Sequence, residues 1–128
     1  MMLVVKNGFL ICQSQKYRCS IGINGLSENK SEGDGCTPVG TFRINKILYR
    51  PDKINDVKFL LDTEVIGKLD GWCDDVNSQF YNQKILFPFE SSAEHLYRKD
   101  DLYDIVCVID YNLNPIVKGK GSAIFLHV

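Results

Sequence analysis

Apolar and polar positions alternate in short runs along this chain, and the runs predict strands. Leu3-Val4-Val5-Lys6 and Phe9-Leu10-Ile11-Cys12 flank Asn7-Gly8. Asn-Gly supplies two residues that tolerate positive φ, as a type I′ turn requires, so the segment reads as a β-hairpin. Tyr17, Cys19 and Ile21 alternate with Arg18 and Ser20, which predicts a half-buried strand. From Asn24 to Gly40 the apolar period is lost among glycine, asparagine, serine and aspartate, so this stretch is a loop with sharp turns. Thr41 to Tyr49 restores a strand, stopped by Arg50-Pro51-Asp52. Between Ile54 and Pro88 the pattern is irregular around Gly71-Trp72-Cys73-Asp74-Asp75, and it predicts no definite element.

Ser91-Ser92-Ala93-Glu94 has the spacing of a capping box and predicts a short helix running through Arg98. Two further runs, Asp104–Ile109 and Ala123–Val128, are apolar on both faces and are expected to be central strands. The class is mainly β with one short helix. At 128 residues the chain is expected to form a single domain, 1–128, with a core large enough to need no disulfide or metal staple.

Composition narrows the function more than the fold. Fifteen basic against sixteen acidic residues give a formal net charge of −1, which removes the electrostatic footprint of a nucleic-acid binder. No apolar run approaches the about 20 residues of a transmembrane helix. The N-terminus lacks the basic and small-residue features of a secretion signal, so a cytoplasmic location is the default for the chain as written. Oligomeric state is left open.

Chemistry-bearing residues are few. His95 falls off the apolar face of the expected helix and reads as exposed and structural. His127 interrupts an apolar strand, where an imidazole is either a hydrogen-bonded core residue or a base held on a rigid element. The cysteines Cys12, Cys19, Cys36, Cys73 and Cys107 are irregularly spaced with no C-x-x-C pair, so neither a zinc ribbon nor a redox dithiol is indicated. Cys12, Cys19 and Cys107 read as core, and Cys73 is flanked by carboxylates that oppose a thiolate. Cys36, on a glycine-rich loop, is the candidate for a nucleophile if one lies among these residues. Asp70, Asp74 and Asp75 match no calcium-loop spacing and read as turn-forming residues, so no metal site is indicated. Trp72 is either a platform for a ligand or the buried anchor of an irregular loop.

The run Gly33-Asp34-Gly35-Cys36-Thr37-Pro38-Val39-Gly40-Thr41-Phe42 resembles the D-G-x-T-P-x-G-x-F signature of the L,D-transpeptidase catalytic domain, the YkuD-like family. Leu48-Tyr49-Arg50-Pro51-Asp52, Gly71-Trp72-Cys73-Asp74-Asp75 with Tyr81-Asn82, and Gly119 to His127 resemble one bacterial branch of it, in order along the chain. The resemblance implies curved β-sheets packed as a sandwich. It also implies a Cys-His acyl transfer on peptidoglycan stem peptides, with no cofactor. His127 matches the family's histidine, while Thr37, Trp72 and Asn112 are candidates for shaping the cleft. The family's cysteine lies C-terminal to that histidine, and no motif of that kind stands among these residues. The expectation is therefore a domain incomplete at its C-terminus and inactive as given. Two other expectations compete with it: a non-catalytic module that binds stem peptides or a protein, and a cysteine hydrolase using Cys36.

Overall fold

The computed structural model describes residues 1–128 and contains twelve strands and no helix. They are β1 (Leu3–Lys6), β2 (Phe9–Cys12), β3 (Gln15–Arg18), β4 (Leu26–Ser27), β5 (Thr37–Pro38), β6 (Ile44–Tyr49), β7 (Thr63–Val65), β8 (Asp70–Cys73), β9 (Lys84–Leu86), β10 (Ala93–His95), β11 (Ile105–Ile109) and β12 (Phe125–His127). The chain divides into two compact units. The smaller holds residues 1–30 and 34–40; the larger holds 31–33 and 41–128.

In the smaller unit β1, β2 and β3 form an antiparallel meander. Asn7 and Gly8 turn the first hairpin with φ of 52° and 78°, the left-handed pair that the sequence predicts. The expected third strand is shorter than its alternation suggests. It ends at Arg18, before Cys19 and Ile21, and Tyr17 is 52% exposed. The glycine-rich segment is closed by the parallel pair β4–β5.

The larger unit is built on two sheets. One has the order β12-β11-β6-β7, and the other β10-β8-β9. Leu48, Val106 and Val108 from the first sheet and Trp72 from the second share one core with Ile66, Leu96 and Tyr103. Along β11 the alternation is regular: Val106 and Val108 are buried on the core face, while Ile105, Cys107 and Ile109 are half-buried on the other. This is the mainly β class that the pattern implies, with the packed sheets that the resemblance implies.

Two expectations fail here. The capping-box segment is not a helix. Ala93, Glu94 and His95 pair with Cys73, Trp72 and Gly71, and the Leu96 amide donates to the Asp70 carbonyl at 3.0 Å. Glu94 spends its carboxylate on the Tyr103 hydroxyl instead of a helix N-terminus, and Leu96 is fully buried. Long-range pairing thus overrides a four-residue local signal. The second correction concerns β12, which is an edge strand with β11 as its one neighbour. Phe125 and Leu126 are half-buried and His127 is exposed, whereas β11 is central as expected.

Arg50 explains why the strand β6 stops where it does. Its guanidinium is buried, donates to both carboxylate oxygens of Asp52 at 2.8 and 2.6 Å, and reaches the Arg98 carbonyl at 2.7 Å. It also lies 3.5 Å from the centroid of the Tyr97 ring. One cation therefore satisfies the turn after β6 and anchors the segment after β10.

Candidate active site around His127

β12 carries Phe125 and His127 on one side, because strand side chains alternate. Phe125 packs edge-on to Trp72 at 5.2 Å between ring centroids and to Tyr103 at 5.9 Å. His127 lies edge-on to Tyr103 at 5.1 Å, with ring planes at 87°. Its exposed imidazole thus stands at the rim of the core, on a strand whose underside is aromatic. An exposed base on a buried aromatic footing is open to a reacting group while its backbone is fixed by the sheet.

Tyr103 is itself held. Its hydroxyl donates to Glu94 Oε2 at 2.5 Å, and the ring is 8% exposed. Burial first, and then the Glu94 hydrogen bond, pushes the phenol well above its ordinary value of 10.0, so it remains a proton donor. The Arg98 guanidinium lies 5.7 Å from the Tyr103 centroid and is paired with Asp100, whose carboxyl it holds down to about 2.

The segment leading into β12 is fastened by a second polar centre. Asn82 is 2% exposed, and its Oδ1 accepts from Trp72 Nε1 at 2.9 Å and from the Ala123 amide at 3.0 Å. Its Nδ2 donates to the Asn112 carbonyl at 2.7 Å. Tyr81 adds a parallel link. Its hydroxyl donates to Glu32 and accepts from the Gly121 amide, while Ser122 Oγ donates to the same carboxylate. Burial, followed by the Glu32 hydrogen bond, pushes the Tyr81 phenol up to about 12.

The candidates named from sequence are therefore placed unequally. Trp72 and Asn112 are brought together by Asn82. Trp72 is the buried anchor of its strand, 7% exposed with its N–H engaged, and it presents no open ring face. Asn112 has φ of 53°, and its side chain ties the loop through Val117 and Gly121. Thr37 belongs to the smaller unit, where its Oγ1 accepts from the Gly22 amide at 2.8 Å. His95 is exposed on β10 and stacks on Phe87 at 3.8 Å. Sequence reasoning missed Asn82, Tyr103 and Glu94 as supports, because their partners lie 9 to 41 positions away. The Tyr81-Asn82 pair stood within a matching stretch, and that was the only signal for it.

No cysteine on this face serves His127. Cys107 lies opposite Leu126 in the ladder, so it points to the other side of the sheet from Val106 and His127. Cys73 is the fully buried cysteine, whereas Cys12, Cys19 and Cys107, which read as core from the sequence, are each half-buried. Cys36 Sγ lies 3.6 Å from the carbonyl oxygens of Asn24 and Asp34. Those are acceptors, which suit an S–H donor and offer nothing to a thiolate. No three His, Cys, Asp or Glu side chains gather as metal ligands, and no helix is long and apolar enough to cross a membrane.

Comparison with known proteins gives one match. The family model of the L,D-transpeptidase catalytic domain, YkuD, covers residues 1–128. No curated protein and no solved structure matches the chain.

Proposed function

The chain belongs to the L,D-transpeptidase catalytic-domain family, and from that premise we propose that it serves acyl transfer on peptidoglycan stem peptides, with His127 as the general base. The observation that carries this reading is the placement of His127: exposed, on a sheet strand, with Tyr103 and Phe125 on its side of the strand. Such a base takes the proton of a cysteine thiol, and the thiolate attacks the amide carbonyl before a terminal D-alanine. The C–N bond breaks, the imidazolium returns its proton to the leaving amine, and a thioester remains. An amine of a second stem then displaces the thiol, forming an amide cross-link; water in its place gives hydrolysis. Both steps need the same imidazole, first as base and then as acid.

The 128 residues hold no counterpart of the family's cysteine motif; Cys107 points to the other side of its sheet from His127, and Cys73 is fully buried. The reading accordingly expects a polypeptide of these residues alone to bind stem peptides without turning them over. The same polypeptide followed by a family-type cysteine segment is expected to release D-alanine from a tetrapeptide stem. His127→Ala in that extended protein is expected to abolish release. Release by a folded His127→Ala variant at an undiminished rate would overturn the proposal.

A further inference from the structure

We propose that Tyr103, pinned by Glu94, is the positioning residue for His127: an aromatic strut that fixes the imidazole by ring contact. The proposal rests on the reading of His127 as the base. A catalytic imidazole has to be held within about 10–20° of its working orientation, and a carbonyl or carboxylate on one ring nitrogen commonly does this. Here the ring of His127 is exposed, and its contact is the edge-on packing against Tyr103 at 5.1 Å and 87°. Restraint of the base therefore passes to Tyr103.

Tyr103 is suited to that role by its own fixation. Its ring belongs to the core that joins the two sheets and also contacts Phe125. Its hydroxyl is locked to Glu94 at 2.5 Å, and Glu94 stands on β10 in register with Trp72. The chain of support thus runs from β8 through Glu94 and Tyr103 to the imidazole on β12. Arg98 and Asp100 are the remaining charged groups around Tyr103, and they neutralise each other in a two-point pair. On β11, the residue opposite His127 is Val106, which cannot titrate.

Nuclear magnetic resonance of the histidine rings in the 128-residue chain tests this directly, with His95 as an internal control because it stacks on Phe87. The expected wild-type result is a strong nuclear Overhauser contact between the His127 and Tyr103 rings. Tyr103→Phe and Glu94→Ala each release the strut and are expected to weaken that contact and broaden the His127 signals, leaving His95 unchanged. Glu94→Gln keeps an acceptor for the hydroxyl and is expected to restore the wild-type contact. Unchanged His127 signals in both releasing variants would overturn the proposal. So would a Glu94→Gln variant that behaves like Glu94→Ala. Trp72 fluorescence confirms that each variant is folded. Failure of His127→Ala to slow D-alanine release would instead overturn the functional reading, and the ring measurement would be untouched by it.

Discussion

Replacing Asn82 by alanine is the sharpest test of how the site is held. The truncation removes one acceptor that serves two buried donors, Trp72 Nε1–H and the Ala123 amide, and one donor to the Asn112 carbonyl. Asn82 is 2% exposed, so water does not simply replace it. Each orphaned donor costs about 1–3 kcal/mol. Asn82 also has φ of 55°, a left-handed conformation that costs alanine about 1 kcal/mol more than asparagine or glycine. Together the loss is on the order of 3–7 kcal/mol, against a total stability of about 5–15 kcal/mol for a domain. In urea unfolding, a loss of 3 kcal/mol lowers the midpoint by at least about 1 M. Trp72, the only tryptophan, reports the transition from within the affected bond. Asn82→Gly is expected to recover about 1 kcal/mol relative to Asn82→Ala, since glycine accepts the backbone conformation. A midpoint shift worth less than about 1 kcal/mol for Asn82→Ala would refute the reasoning.

Three further outcomes are expected. Lys84 first, with help from Lys46, holds the Glu64 carboxyl below its ordinary value of 4.5 against the opposing effect of burial. A depressed folded value means the stabilisation is complete above the unfolded value and lost as pH falls through the folded one. Urea midpoints should therefore decline below about pH 5, and Glu64→Gln should flatten that decline; equal slopes would contradict the assignment. Gly71→Ala places a methyl 2.8 Å from Ile85 Cδ1 and 2.9 Å from the Glu94 carbonyl oxygen, which belongs to the paired strand and cannot swing away. It should destabilise by about 1–3 kcal/mol, and a neutral midpoint would show that β8 and β10 can separate freely. Alkylation followed by peptide mass mapping should label Cys73 slowest and show no selective, rapid labelling of Cys36. Fast Cys36 labelling that His127→Ala slows would favour the hydrolase reading instead.

The parts of this fold legible in the sequence are those dictated by neighbours in the chain. Asn7-Gly8 turns the hairpin because both residues accept positive φ, β11 shows itself by a continuous apolar run, and β6 by the return of apolar residues up to the stop at Arg50-Pro51-Asp52. β7, β8 and β9 are only three or four residues long, too short for a period to emerge, and are defined by their partners. The Ser91–Glu94 signal misled because Glu94 is claimed by Tyr103 and the backbone by β8. Of the site, His127 was visible as an imidazole in an apolar run. Its supports were not: Asn82 and Tyr103 act through contacts that only the packing of two sheets creates.

The central claim is tested most directly by the intact mass of these 128 residues followed by a family-type cysteine segment, after exposure to a carbapenem-class β-lactam, beside the His127→Ala variant of the same polypeptide. The account predicts one covalent adduct, carried on a cysteine, that forms on the wild type and not on the folded variant. No adduct on the wild type, or adducts forming equally fast on both, would contradict it.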